Sequence, residues 1–278
     1  MIASFIITFR ETLEAALIVG IVLSYLSRTN NSNHNRVVYS GTALAIGASL
    51  LGAFIFNSLA GGFSGRAEEI FEGITMLIGA LLLTTMIIWM MKQKNIAGEL
   101  ENRVSTKLTE AHMIGLFFLV FFAILREGIE TVIFLQAASF AAEGASLSGA
   151  VLGIIAAMLL GYAIFLGSMK VNLKKFFNVT SILLILFAAG LVAHGVHELQ
   201  EAHLVPIIIE HIWDINPAVA SDGVYPLLHE KGYIGSIFKG LFGYNGNPSL
   251  IEVKSYIIYM ISISIIWRTI NKRKYSTA

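Results

Sequence analysis

Seven stretches of this 278-residue chain are long and apolar enough to cross a bilayer as helices, which fixes most of what the chain can fold into. A spanning helix needs roughly 20 mostly apolar residues at about 1.5 Å each, because hydrocarbon offers no partner to a bare backbone N–H or C=O. The stretches are Ile2–Leu26, Val37–Leu59, Ile70–Met91, Met113–Ala138, Leu147–Met169, Phe176–Leu199 and Ile251–Trp267. They predict an all-α, multi-pass membrane protein, a single transmembrane domain over 1–278 surrounded by lipid. The composition agrees: 56% hydrophobic, 13% charged and a mean hydropathy of +0.74 exclude an ordinary water-soluble domain. A net charge of +1 gives no basic surface for nucleic acid. With no cysteine, disulfides, thiolate metal sites and cysteine nucleophiles are all excluded, so a metal would be held by oxygen or imidazole. Nothing basic precedes the first apolar run and Arg10, Glu11 and Glu14 interrupt it, so it reads as a retained helix rather than a cleaved signal.

Lys and Arg in short connections stay on the cytoplasmic side of a membrane. If seven helices alternate, Arg28, Arg36, Lys92, Lys94, Arg103, Lys107, Lys170, Lys174, Lys175, Arg268, Lys272, Arg273 and Lys274 fall on one side. The short loops of the other side hold only Arg66. The amino terminus is therefore expected outside and the carboxyl terminus inside. The segment 200–250 contains all four prolines and reads as an extracytoplasmic loop, packed over the bundle with short helical pieces at most.

Arg10-Glu11-Thr12-Leu13-Glu14 in the first stretch recurs as Arg126-Glu127-Gly128-Ile129-Glu130 in the fourth. Three helices separate the copies, so the halves would form an inverted 3+3 repeat with the seventh helix outside it. Both motifs fall near mid-membrane, where each ionised side chain costs roughly 2.5–3.5 kcal/mol to insert. Such charges must pair or bind something. The i, i+3 spacing sets Glu11 with Glu14, and Glu127 with Glu130, on one helix face, and two such faces could gather four carboxylates. Hard cations prefer that oxygen set. A purely structural clamp of Arg on Glu explains less, since two arginines cannot neutralise four carboxylates.

Two further groups lie near the outer ends. Glu68, Glu69 and Glu72 open the third stretch, where acidic side chains also offset the helix dipole. Glu69 and Glu72 share a face, and Glu72 is the deeper candidate ligand. His194, His197, Glu198 and Glu201 form one stripe on the sixth stretch, a mixed imidazole and carboxylate set suited to a metal. His34, His112 and His229 stand alone and read as structural. His197-Glu198-Leu199-Gln200-Glu201 begins like a zinc-hydrolase helix but has Glu where the second histidine is required. An intramembrane metal hydrolase is thereby disfavoured, and a metal-sensing or structural membrane protein is the other alternative.

These residues together resemble the oxidase-dependent iron permeases, which include the fungal high-affinity iron permeases and the bacterial EfeU-type ferrous iron transporters. The resemblance rests on the two R-E-x-x-E motifs, the acidic start of the third helix, Gly195-Val196-His197-Glu198-Leu199-Gln200-Glu201-Ala202, and Leu241-Phe242-Gly243-Tyr244 followed by Pro248. It spans essentially the whole chain. It implies a plasma-membrane permease rather than an enzyme, with iron as transported substrate and no resident cofactor. Glu11, Glu14, Glu127 and Glu130 would form the transport site, charge-compensated by Arg10 and Arg126. It further implies a partner oxidase in fungi, or in bacteria an extracytoplasmic iron-binding protein and a haem peroxidase.

Overall fold

The computed structural model of the chain describes residues 1–92, 104–105, 113–141, 146–165, 173–219 and 225–276. Among these there are eight α-helices and no strand: α1 (Ile2–Arg28), α2 (Asn35–Ala60), α3 (Arg66–Lys92), α4 (Met113–Ala141), α5 (Leu147–Phe165), α6 (Leu173–Glu201), α7 (Tyr233–Phe242) and α8 (Leu250–Ser276). Each apolar stretch seeds one long helix. The breaks fall where the chain can leave the helical region: Asn30 and Gly65 adopt positive φ, and Gly243 caps α7 in the left-handed conformation. Lys94, Arg103, Lys107, His112 and Lys170, with the end of the fifth stretch at Leu166 to Met169, lie outside the described residues. So do the side chains of Lys92, Lys174, Lys175, Lys272, Arg273 and Lys274.

Five helices contain a span long and apolar enough to cross a membrane: Ser32–Ala60, Arg66–Met91, Leu147–Phe165, Val179–Glu201 and Leu250–Ile270. The expectation of seven is thus met for five. The other two long helices, α1 with 27 residues and α4 with 29, have the length but carry an Arg and two Glu at their centres. Arg66, expected in a loop, is the first residue of α3, where its Nε donates to the carbonyl of Ala202 at 2.9 Å. The eighth helix continues nine residues past the expected end at Trp267.

The direction in which contacts progress gives the relative sense of the helices. Along α1 and α5 the numbers rise together: Gly149 faces Met1, Gly153 faces Phe5 and Thr8, and Gly161 faces Ala16. These helices are parallel. So are α2 and α4, where Gly41 faces Phe117 and Gly128 faces Ser49. Between α3 and α6 one number rises as the other falls: Arg66 with Ala202, Gly73 with Gly195, Gly79 with Leu191. These are antiparallel, and six helices that alternate in sense satisfy all three relations.

The same contacts expose a repeat in packing. The first helix of each half packs on the second helix of the other, α1 on α5 and α4 on α2. Gly41 meets the carbonyl of Phe117 as Gly149 meets that of Met1, and these two stand nine residues before Arg126 and Arg10 respectively. A Cβ on Gly73 would lie 2.9 Å from the Gly195 carbonyl, with Glu198 and Leu199 next. A Cβ on Gly195 would lie 3.0 Å from the Gly73 carbonyl, with Met76 and Leu77 next. Contacts exchanged in this way are the mark of a two-fold relation. The absence of side chains at Gly73 and Gly195 lets α3 and α6 touch backbone to backbone.

Two apolar cores flank the middle of the bundle. One contains Ile7, Leu83, Phe134 and Ala188, the other Val22, Leu26, Val38, Leu116 and Val120. On α1 the motif at positions 10–14 lies between Ile7 and Val22, and on α4 the motif at 126–130 lies between Ile124 and Phe134. The outer faces of α2, α5 and α8 are themselves apolar, with Phe54, Leu159 and Ile258 exposed, as a lipid solvent requires. Segment 200–250 packs against the bundle: α7 contacts α6 and α1, and Gly243 sits against Gly190, where a Cβ would meet backbone.

Candidate metal site

The two motifs meet. Glu11 and Glu14 from α1 and Glu127 from α4 each present a carboxylate oxygen, and the three oxygens lie within 4.8 Å of one another. Each helix supplies its acids on the inward face because i, i+3 positions stack over one turn. Glu11 and Glu127 are almost fully buried, and Glu14 nearly so. Glu130 is adjacent but outside that tight group, its Oε1 3.4 Å from Arg126 Nε. The expected four-carboxylate cluster is therefore three close oxygens with a fourth carboxylate at the edge.

The arginines are not equivalent. Arg10 has no exposed surface; Nη1 lies 3.0 Å from Glu11 Oε1 and Nη2 lies 2.9 Å from Glu14 Oε1. Its Nη2 also approaches the sulfurs of Met86 and, at 2.9 Å, Met90, both on α3. Arg126 donates to Glu127 Oε1 at 2.7 Å, but its side chain is 52% exposed and its guanidinium carbon stands 5.8 Å from the centre of the Trp89 ring. That range is a cation–π contact. Glu11 Oε2, Glu127 Oε2, Glu130 Oε2 and Arg10 Nε are buried and have no hydrogen-bond partner among the described residues. Buried oxygens without donors, beside two guanidiniums that cannot balance four carboxylates, are the ligand set a hard cation needs.

The remaining acids form a separate group. Glu69 and Glu72 on α3 face Glu198 on α6 closely enough to repel it, and the Glu198 Cβ packs at the Gly73 crossing. Met86 follows Glu72 by 14 residues on one continuous helix, so this group lies about 20 Å from the first at 1.5 Å per residue. Glu68 is exposed in the first turn of α3. Within the histidine stripe His197 meets Glu201, Nε2 to Oε1 at 3.2 Å, and its Nδ1 turns to Glu252 Oε1 at 3.1 Å. His194 is buried, with Nδ1 3.0 Å from the carbonyl of Gly190.

Glu252 escaped the sequence reading. It is buried at the start of α8, takes hydrogen bonds from Asn245 Nδ2 (2.8 Å) and from the Ser249 N–H (2.9 Å), and holds His197 across to α6. Ser249 Oγ in turn accepts from the Glu252 N–H at 3.2 Å. That reciprocal pair is a capping box, and the pattern Ser249-Leu250-Ile251-Glu252 before an apolar run was its sequence signal. Met86, Trp89 and Met90 were also missed, because apolar residues in an apolar helix carry no signal of their own.

No solved structure matches the chain at a significant level. Curated relatives do. The ferrous iron permease EfeU of Yersinia pestis is 36% identical over 271 residues, covering 96% of this chain and 93% of the relative. The protein of the same name from Yersinia pseudotuberculosis is 36% identical over 267 residues, covering 95% and 90%. That from Escherichia coli O6:H1 strain CFT073 is 37% identical over 266 residues, covering 94% and 93%. The model of the iron permease FTR1 family matches residues 1–270. With helices long and apolar enough for several crossings, and a match that covers all but the last residues, the chain is a multi-pass membrane protein, a transporter rather than an enzyme, and belongs to the iron permease FTR1 family.

Proposed function

We propose that the chain imports iron, in the ferrous state that its relatives' name specifies, through a central site of Glu11, Glu14 and Glu127 with Glu130 at its edge. The observation that carries this reading is the approach of carboxylate oxygens from both motifs to within 4.8 Å. In this reading all seven long helices cross the plasma membrane, with the amino terminus outside and the carboxyl terminus inside. Support comes from the three pairwise senses, which an alternating α1 to α6 satisfies, and from the exchange of contacts between the two halves. α1 and α4 tolerate their charges because these face one another between two apolar cores.

Glu69, Glu72 and Glu198 lie toward the outer side of that topology and gather cations from solution, with Glu201 and His197 at their rim. Arg10 and Arg126 hold the carboxylates together between transport cycles. An inside-negative potential favours entry by about 2.3 kcal/mol per charge per 100 mV, twice that for a divalent ion. The 200–250 segment covers the outer face, where an extracytoplasmic iron-binding protein, peroxidase or oxidase would deliver the ion. The test is uptake into sealed proteoliposomes that contain this chain alone, with ferrous and ferric iron offered separately. Accumulation of ferrous iron is expected. Metal binding without accumulation would make the protein a sensor and overturn the reading.

A further inference from the structure

Carboxylates alone do not discriminate iron from magnesium, calcium or manganese, so the cage described above leaves selectivity unexplained. The surroundings of Arg10 supply it. Nη2 of Arg10 is a buried cationic nitrogen with three neighbours: Glu14 Oε1 at 2.9 Å, Met90 Sδ at 2.9 Å, and Met86 Sδ. A guanidinium is matched by planar oxygen acceptors, and a thioether is a weak one. Arg10 Nε, equally buried, has no hydrogen-bond partner among the described residues. The arginine forks to two glutamates while its Nε is left unpartnered, and its Nη2 sits where one carboxylate oxygen and two sulfurs converge. Met86 and Met90 are four residues apart on α3 and so point the same way.

We propose that Met86 and Met90 are thioether ligands that make the transport site selective for iron over harder divalent cations, and that Arg10 Nη2 occupies the cation's position between cycles. The proposal rests on the carboxylate-site reading and adds the element that reading lacks. An arriving cation takes the Nη2 position and the guanidinium withdraws, since the two cannot occupy one place. Arg126 in the other repeat keeps both its glutamates, Glu127 at 2.7 Å and Glu130 at 3.4 Å, from a half-exposed position beside Trp89, between the two methionines in sequence. Soft, polarizable sulfur contributes little to magnesium or calcium, and manganese binds such donors more weakly than iron does.

The test uses the full chain in proteoliposomes, comparing wild type with Met86→Leu, Met90→Leu and the double variant. Leucine nearly conserves volume and apolarity, so folding is kept. Uptake of radiolabelled ferrous iron is measured under reducing conditions against rising manganese and calcium. In the double variant the competitor concentration that halves iron uptake should fall about tenfold, the low end of what a lost metal partner commonly costs. Thermal stability in detergent should stay at the wild-type value. Unchanged competition with iron uptake intact would overturn the proposal. Should the double variant transport nothing, manganese and ferrous iron binding to the detergent-solubilised protein reads the same ratio: weakened iron with retained manganese supports the proposal, and equal loss overturns it. A Glu14→Gln control separates the two claims. If it abolishes uptake while the methionine variants keep wild-type selectivity, the carboxylate site stands and the thioether role falls. If it leaves uptake normal, the site itself is wrong.

Discussion

Arg10 and Arg126 occupy the same place in a repeated motif, yet their replacement should have unequal consequences. Arg10 is fully buried and ion-paired with Glu11 at 3.0 Å and Glu14 at 2.9 Å. Arg10→Ala removes the ion-pair partner of both carboxylates between apolar cores. Removing one partner of a buried pair costs about 3–5 kcal/mol, a large part of the roughly 5–15 kcal/mol that stabilises an ordinary fold. At about 2–4 °C per kcal/mol for a large domain, the midpoint of thermal unfolding should fall by about 10 °C. Arg126 has one close partner, Glu127 at 2.7 Å, and its Glu130 contact is longer at 3.4 Å, so its removal breaks one close pair where Arg10 breaks two. Its removal should lower the midpoint by about half as much. The assay is tryptophan-fluorescence melting of the detergent-purified variants, with yield as a second reading. Arg10→Lys should fall between, because one ammonium keeps the charge but cannot fork to both glutamates. Equal midpoints for Arg10→Ala and Arg126→Ala would refute the reasoning, as would a larger loss for Arg126→Ala.

Four further outcomes are expected. Gly73→Val and Gly195→Val should each reduce folded yield sharply, since any Cβ there lies about 3 Å from an opposing carbonyl, and size-exclusion profiles will show it. Glu252→Gln should lower thermal stability by about 1 kcal/mol through loss of the charged half of the capping box, without altering cation selectivity; unfolding and competition assays read the two separately. Glu72→Gln and Glu198→Gln should lower iron uptake most at low external iron, as expected for capture residues, and the concentration dependence of uptake measures this. The topology is open to a cysteine label, since the chain has no cysteine of its own: Ser276→Cys should react with an impermeant reagent only after the membrane is opened.

The helices were legible in the sequence because hydropathy and helix length respond to one cause, the need to satisfy the backbone away from water. The paired motifs were legible because charge in such a run is costly and therefore rare. Their convergence was less so: Glu130 shares the spacing of Glu14, but the geometry leaves it at the edge. The packing repeat was nearly invisible, because it is written in contacts rather than residue identity. Gly73 and Gly195, each with Leu four residues later, are among the few shared letters at the α3–α6 crossing. His197 read as a ligand from its own helix alone, since its main partner, Glu252, comes 55 residues later from a helix whose start was placed without its capping box.

The central claim is that carboxylates from both motifs form one cation site. Glutamine keeps the size of glutamate but removes the negative charge and one acceptor oxygen. Ferrous iron uptake by proteoliposomes containing a Glu14→Gln, Glu127→Gln double variant is the most direct test, with thermal melting of the same preparation to show that it is folded. The account predicts a folded protein that has lost nearly all uptake. Wild-type uptake by that variant would contradict it and leave the repeated motif as a structural clamp.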